Sequence, residues 1–251
     1  MKTLKFIPES SDEATRQALF EMVSAEGVNA PYMDMLKLRI KGGAAEECCD
    51  NYYLVTEQGK CLCRLWSGWG RHQGAIGNFG NFHTLEERRG QGIGRRALTL
   101  WYEDVTTRPD APLALFCTSH RVATIYFPYG FRPAVTGTEN GPLYLPLGDS
   151  PATFRQFCER YYEPAEYLFS RPATLEWRHE IDCLLKFALL EHGRDFGIGK
   201  AGSLEEVLLY HGGDARLLFT PNQKCVGWIV GDTAQLYPLY ENTKIITERN
   251  V

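Results

Sequence analysis

The sequence has no long apolar run. No stretch of its 251 residues approaches the roughly 20 consecutive apolar residues that a helix needs to cross a bilayer. The first residues, Met1–Lys5, are not followed by the apolar stretch of a signal peptide. These absences argue against a membrane protein and against a secreted one. We therefore expect a soluble, cytoplasmic protein with no membrane partner.

The sequence also lacks an excess of basic residues. Its formal net charge is −4, so binding to nucleic acid would need a local basic patch. Four arginines form such a patch around a glycine-rich loop, where they suit the phosphates of one nucleotide better than a duplex backbone. They are Arg88, Arg89, Arg95 and Arg96. No nucleic-acid partner is predicted.

Paired zinc-ligand motifs are missing as well. The eight cysteines include no Cys-x-x-Cys pair, so no metal site is predicted. In a chain of this size without a secretion signal, the thiols are expected to be reduced and mostly buried. Hydrophobic residues make up 44% of the chain, which is enough for the core of one large domain or two modest ones.

The most informative feature that is present is a loop with glycine at alternate positions, Gly90, Gly92 and Gly94. Residues of strand-like composition precede it and apolar residues at helical spacing follow it. The loop is therefore expected to connect the end of a strand to the start of a helix. Glycine allows positive φ and the close approach of a ligand, and the first amides of a helix have no partner within the helix. Such a corner binds phosphate. The helical positions are Ala97, Leu98, Trp101 and Val105.

Other phosphate-binding patterns fit less well. The chain has no Gly-x-x-x-x-Gly-Lys-Ser/Thr segment, and Arg95 stands where a dinucleotide fingerprint needs its third glycine. Gly197–Gly202 matches that fingerprint by letters, but it follows a segment with a helical pattern rather than a strand. Because Ser203–Glu206 is a capping-box pattern, we interpret these later glycines as a loop between helices.

The segment Arg89–Gly94 fits the pattern Arg/Gln-x-x-Gly-x-Gly/Ala. It resembles the loop with which the GNAT family, the acetyl-CoA-dependent N-acetyltransferases, wraps the CoA pyrophosphate. Further along, Tyr126–Phe131 resembles the Tyr-x-x-x-Gly-Phe helix end of that family. The two motifs stand in the family's order, separated by a helix and the apolar run Leu113–Cys117.

The resemblance implies an α/β (α+β) GNAT fold over residues 1–148, in which helices flank a mixed, mostly antiparallel central sheet. Ser10–Glu13 is a capping-box pattern for its first helix. Asp149–Pro151 is interpreted as a boundary, and residues 149–251 as a smaller C-terminal α+β segment. This segment has the pattern of a truncated repeat of the first half of the fold, and chance similarity is left open.

The repeat hypothesis depends on two sequence matches. Ala188–Glu191 precedes the pair Gly212-Gly213 by the same distance as Ala18–Glu21 precedes Gly42-Gly43. After a short deletion, Thr220–Cys225 matches the hairpin turn Thr56–Cys61. A copy of this kind would lack the glycine loop and would not bind CoA in the family's way.

The resemblance also implies a reaction, the direct transfer of acetyl from acetyl-CoA to a primary amine of a small molecule or peptide. Tyr126 corresponds to the family's tyrosine that protonates the leaving thiolate. Main-chain groups at the end of the strand are expected to contact the pantetheine arm and the thioester. The expected cofactor-binding residues are Phe82, His83, Thr84, Arg89, Gly90, Gln91, Gly92, Ile93, Gly94 and Arg95.

The general base does not follow from the family pattern, because residues 74–84 contain no carboxylate. His83 and His120 are the titratable candidates near the expected reaction centre, and an ordinary histidine pKa of about 6.5 suits this role. A water relay and an acceptor that arrives as the free amine are left open.

The acceptor amine is not predicted. Trp66, Trp69, Arg71 and His72 are a candidate substrate wall in the loop after the hairpin. Acyl groups longer than acetyl and a homodimer are left open. The alternative function is a catalytically silent protein with a GNAT fold that binds acyl-CoA or another partner.

Overall fold

The computed structural model describes residues 1–26, 30–72, 76–117, 123–137, 142–192, 208 and 213–247. The strands are β1 Lys2–Phe6, β2 Cys48–Glu57, β3 Lys60–Gly70, β4 Ile76–Thr84, β5 Ala114–Cys117, β6 Arg132–Pro133, β7 Leu143–Pro146, β8 Tyr167–Pro172, β9 Ala215–Phe219, β10 Cys225–Val230, β11 Thr233–Leu236 and β12 Lys244–Thr247. The helices are α1 Glu13–Ser24, α2 Ala30–Ile40, α3 Ile93–Thr107, α4 Phe154–Tyr161 and α5 Arg178–His192.

The first seven strands form one sheet in the order β1-β2-β3-β4-β5-β7-β6. Neighbouring strands pair antiparallel except β4 and β5, which run parallel. Side chains alternate across β2, so Tyr53 packs in the core under α3, while Tyr52 and Leu54 pack in the core with α1. The predicted α/β fold with a mixed, mostly antiparallel sheet flanked by helices is confirmed.

Helix α3 follows the apolar spacing read from the sequence. Ala97, Leu98, Trp101 and Val105 are all buried in the core against this sheet. Trp101 is fully covered, and its ring stacks on Phe131 with centroids 5.8 Å apart. The helix is therefore held to the sheet from its first turn, which fixes where its N-terminus points.

Two local predictions differ from the structure. Helix α1 is capped by Asp12, whose carboxylate accepts from the Thr15 amide at 3.0 Å, and not by Ser10. Asp12 is the residue directly before the first helical turn, where a cap must lie. The segment around Tyr126 forms two short 3-10 turns instead of a helix, because Pro128 cannot continue a helical ladder and Gly130 takes φ +92.

The remaining strands form a second sheet in the order β11-β10-β9-β8-β12. The sequence β8, α5, β9, β10 repeats the order of strand, helix and antiparallel hairpin that opens the chain. Gln58 and Gln223, which occupy matching turns, both have positive φ, at 50 and 61. The repeat and the domain division at residue 148 stay predictions. Gly197–Gly202 lies outside the described residues.

The two sheets share an apolar core. Residues of the first sheet, among them Ile76, Phe116 and Tyr144, pack in one cluster with Phe154 and Phe187 of α4 and α5. Phe154 contacts Phe116 and Phe187 with ring centroids 5.2 and 4.7 Å apart. Burying such rings contributes roughly 1.5 to 3 kcal/mol each. Within the described residues, the second sheet is therefore packed against the first and not tethered loosely to it.

A buried polar joint completes this contact. Arg178, at the start of α5, donates to both oxygens of Asp50 on β2 at 3.1 and 3.3 Å. Trp66 of β3 donates its indole N–H to the same carboxylate at 2.8 Å. The side chains of Arg178 and Asp50 are only 1% and 2% exposed. The charges are thus compensated inside the protein and not by water.

Candidate active site

A cleft opens where β4 and β5 separate. The two strands pair only at Ile76–Asn78 and Ala114–Phe116, while β4 continues to Thr84. A cavity of about 1300 Å³ lies there, between the end of β4, the glycine loop, the start of α3 and the segment after β5. Its lining residues are Phe82, His83, Thr84, Arg88, Arg89, Gly90, Gly92, Ile93, Gly94, Arg95, Leu98, Thr124, Ile125, Pro128 and Tyr129.

A β-bulge in β4 sets which side chains face this cleft. Asn81, with φ +50, interrupts the regular pairing with β3 between Gly80 and His83. A bulge inserts an extra residue and re-aims the side chains that follow. As a result Phe82 points to α3, and His83 turns to the face of the sheet that carries α1, where it still borders the cavity.

The glycine loop has the geometry of an anion cradle. Gly90 and Gly92 take φ +76 and +73, a conformation that costs other residues about 1 to 2 kcal/mol. A Cβ at either position would meet nothing within 4 Å, so the space above the loop is open. Gly92 is the N-cap of α3, and no side chain caps the helix there. The amides of the first turn therefore point into the cavity without an intrahelical partner.

Gly94 has a different role from its neighbours. A Cβ on it would lie 2.6 Å from Cζ of Phe82, so a larger residue would displace the Phe82 ring or move α3 away from the end of β4. The contact brings the positive end of the helix dipole next to the strand edge. The three alternate glycines thus serve two purposes, a left-handed turn and a close helix-to-strand packing.

Arginines line the cavity and bring positive charge to its rim. Arg88 is ion-paired with Glu57. The Arg89 side chain is 57% exposed and donates through Nε to the carbonyl oxygen of Thr84 at 3.2 Å. Arg95 lies on the first turn of α3, facing the same space. An anion at the helix N-terminus would therefore meet unpaired amides and guanidinium groups together.

The structure brings the expected cofactor-binding residues together. All of them line the cavity except Gln91, whose side chain donates to the Glu87 carbonyl oxygen at 3.2 Å and closes the loop from outside. The residues fit a phosphate-bearing ligand with a long apolar arm. The cavity joins the amides at the start of α3 to the edge of β4 that β5 leaves unpaired beyond Asn78. The individual roles of these residues stay predictions.

Tyr126 is buried next to the cavity and does not line it. Its ring packs edge-on to Phe79 and Phe82, at centroid distances of 5.1 and 6.1 Å. Burial, with Cys117 and Cys63 nearby, raises the pKa of the phenol well above its ordinary range. Tyr129 does line the cavity, so it is a second phenol at the same place. The role of Tyr126 as acid stays a prediction.

His83 lines the cavity at the end of β4, with a side chain that is 27% exposed. Partial burial, together with the charges of Arg64 and Arg89, lowers the pKa of His83 below 6.5. The imidazole is therefore neutral at pH 7, as a proton acceptor must be. His120 lies outside the described residues.

Glu26 is a residue near the site that no sequence motif indicated. It stands just after α1, with a carboxylate oxygen 3.7 Å from Nδ1 of His83. Arg64 of β3 donates to the same carboxylate at 2.8 Å. Burial lowers the pKa of Arg64 to about 10, so the guanidinium is still charged at neutral pH. Only the folded sheet brings these three side chains together.

The suggested substrate wall is wrong in its location. Strand β3 runs on to Gly70, so Trp66 and Trp69 are buried strand residues and not part of a loop. Arg71 pairs with Glu9, and the His72 ring stacks on Trp177 with centroids 3.5 Å apart. These four residues join the first sheet to other segments of the chain and do not line the cavity.

The described residues contain no group of three or more His, Cys, Asp or Glu side chains placed to hold a metal ion. None of the helices seen in the described part of the chain has the length and apolar character needed to span a membrane.

Comparison with known proteins gives likeness in fold. No family model and no curated protein matches the sequence. Among solved structures, an acyl-CoA N-acyltransferase from Pseudomonas aeruginosa is 14% identical with a TM-score of 0.43; 59% of this chain and 99% of that chain are covered.

A GNAT family N-acetyltransferase from Escherichia coli, solved in complex with CoA, is 15% identical with a TM-score of 0.40, covering 59% of this chain and 83% of that one. A GNAT family acetyltransferase from Staphylococcus aureus Mu50 is 11% identical with a TM-score of 0.41, covering 59% and 99%. At these identities and TM-scores the likeness concerns the fold alone. GNAT-family acetyltransferases are thus what the chain resembles in fold, and not in overall sequence.

Proposed function

We propose that the protein is an N-acetyltransferase that transfers acetyl directly from acetyl-CoA to a primary amine of a small molecule or peptide. The observation that carries this proposal is the uncapped N-terminus of α3, which opens with two left-handed glycines into the cleft between β4 and β5. A cytoplasmic location, the lack of a metal and the choice of acceptor are parts of the same proposal.

The amides of the loop and the first turn of α3 hold the pyrophosphate of acetyl-CoA, with Arg89 and Arg95 at the rim. The edge of β4 beyond Asn78 is not paired with β5, so its main-chain groups at Phe82–Thr84 hold the pantetheine arm. One of these amides donates to the thioester carbonyl oxygen, where negative charge develops during transfer. The cleft thereby fixes the acyl carbon next to His83.

His83 removes a proton from the ammonium of the acceptor, and the lone pair of the resulting amine then attacks the thioester carbon. The pKa of His83 is lowered by burial and by two guanidinium groups, so it stays an unprotonated base down to a pH below 6.5. Protonation on the acidic side stops base catalysis, and the acidic limb of the rate profile therefore lies below pH 6.5. General base catalysis of this kind contributes about 10² to 10⁴ in rate.

Tyr126 returns the proton to the departing thiolate. Its raised pKa keeps the phenol protonated at neutral pH, and a thiolate that leaves in the same dry surroundings is also a stronger base than in water. We expect Tyr126→Phe to lower kcat by about 10² while leaving the affinity for acetyl-CoA unchanged. Tyr129→Phe is the matched comparison, since this phenol faces the cavity. A full loss of kcat in Tyr129→Phe with no loss in Tyr126→Phe would assign the acid to Tyr129.

The proposal is tested by calorimetric titration of the protein with acetyl-CoA, followed by a screen of amines for CoA release. Binding in the micromolar range, with one site per chain and release of CoA in the presence of a primary amine, is the expected result. Tight binding without transfer to any amine would favour the silent acyl-CoA-binding alternative. A folded protein that does not bind acetyl-CoA would refute both.

A further inference from the structure

Three charged or titratable side chains meet at the C-terminal end of β4, on the face of the sheet that carries α1. Glu26 comes from the end of α1, Arg64 from β3 and His83 from β4. Arg64 is 3% exposed and Glu26 16%, so both charges are largely withdrawn from water. Of these three residues, only His83 lines the cavity.

An ion pair in this position needs a reason. A buried Arg–Glu pair seldom adds net stability over apolar residues of the same size, because both charges lose their hydration. Here the pair stands next to a histidine at the cavity wall, and Arg64 contacts both oxygens of the Glu26 carboxylate, donating to Oε2 through a 2.8 Å hydrogen bond. A carboxylate held by an arginine keeps its charge and its position. Each carboxylate oxygen has two lone pairs, so Oε2 can still accept from Nδ1 of His83.

We propose that Glu26 is a positioning residue for His83, fixing its neutral tautomer with the proton on Nδ1 and the lone pair on Nε2. This proposal rests on the proposed function, since Nε2 is the atom that receives the proton of the acceptor amine. The Nδ1 to Oε2 distance of 3.7 Å is an ion-pair distance, and a shift of about 0.7 Å closes it to a hydrogen bond. Such bonds are often long before substrate binds.

The surrounding charges explain why the base needs this support. Arg64 and Arg89 both disfavour the imidazolium form that His83 adopts once it has taken a proton. Glu26 is the carboxylate that opposes them at this ring. It stabilises the imidazolium as the proton arrives and sets the orientation of the ring beforehand, which is the arrangement of a base oriented by a third group. Arg64 in turn keeps Glu26 ionised and in place.

The test uses ¹⁵N NMR of the imidazole nitrogens in the full chain, which requires no acceptor amine. The chain has six histidines, and His83→Asn identifies the signals of His83 by their loss. In the parent protein we expect the Nδ1–H tautomer of His83 to predominate. In Glu26→Gln the Nε2–H tautomer should take over, and the pKa of His83 should fall by about 1 pH unit, because a neighbouring negative charge is gone.

Two further variants make the test decisive. Glu21→Gln removes an exposed carboxylate from the same helix, where it accepts from Gln17. This variant should leave the tautomer and the pKa of His83 unchanged. Should Glu26→Gln not fold because Arg64 loses its partner, Glu26→Asp keeps the charge beside Arg64 but shortens the side chain. That variant should weaken the Nδ1–H preference.

The outcomes separate this proposal from the proposed function. An Nε2–H tautomer in the parent, or a tautomer and pKa that do not respond to a folded Glu26 variant, overturns the positioning role. Acetyl-CoA titration of the same samples reports on the function, and Glu26→Gln should bind acetyl-CoA as the parent does. Loss of binding in the parent would refute the acetyltransferase without altering the result on the ring.

Discussion

Replacing Gly92 with glutamate is expected to abolish measurable acetyl-CoA binding while the protein stays folded. The side chain would stand in the open space above the loop, where no atom lies within 4 Å of a Cβ. Its carboxylate would occupy the amide-lined N-terminus of α3 and repel a pyrophosphate. We expect affinity to fall by at least about 100-fold, equivalent to roughly 2.7 kcal/mol. Calorimetric titration measures this loss, and circular dichroism with thermal unfolding reports on the fold.

Gly59→Glu is the control for backbone strain. Gly59 lies in the turn between β2 and β3, takes φ +77 and also has nothing within 4 Å of a Cβ. The substitution imposes the same left-handed strain, about 1 to 2 kcal/mol, without placing charge in the cavity. It should lose similar stability and keep full acetyl-CoA affinity. Equal affinities for the Gly92 and Gly59 variants would show that the loop is not the phosphate site.

Replacing Arg178 with methionine is expected to lower the free energy of unfolding by about 3 to 5 kcal/mol. Asp50 would keep its hydrogen bond from Trp66 but lose its counter-charge in a place closed to water. Because native domains are stable by only about 5 to 15 kcal/mol, this is a large part of the total. Urea denaturation followed by tryptophan fluorescence measures the change.

Arg155→Met provides the matched surface comparison. Arg155 pairs with Glu191 at 2.5 Å, with side chains 65% and 10% exposed, so this pair is more open to water than Arg178–Asp50 and we expect a smaller loss, about 1 kcal/mol. Adding Asp50→Asn to Arg178→Met removes the unpaired charge and should restore part of the lost stability. A small effect of Arg178→Met, no larger than that of Arg155→Met, would mean that Asp50 is compensated in some other way.

The parts of the site that lie close together in sequence could be predicted from it. The glycine loop and the apolar stripe of α3 are local, because periodicity and positive φ depend on neighbouring residues. The apolar run Leu113–Cys117 is local in the same way, and it forms β5 at Ala114–Cys117. Ser10 and Asp12 show how a cap can move when two capping residues stand two positions apart.

What could not be predicted depends on distant pairing. Glu26 meets His83 only because β3 lies between α1 and β4, and no spacing in the sequence indicates that contact. The four residues suggested as a substrate wall follow a hairpin turn, and the length to which β3 extends depends on its partners in the sheet. The packing of α5 on the first sheet likewise rests on Arg178 and Asp50, which are 128 positions apart.

The core shared by the two sheets has a consequence for synthesis on the ribosome. Strand β12 pairs in parallel with β8, so the second sheet is complete only when residues 244–247 have emerged. Until the segment that ends at Tyr240 has emerged, Ile76 and Phe116, where β4 and β5 pair, lack part of the apolar cover they have in the finished protein. A nascent chain that already carries the glycine loop would therefore expose apolar surface that is prone to aggregate. The amount of soluble protein in cells should depend on chaperones that hold unfinished chains.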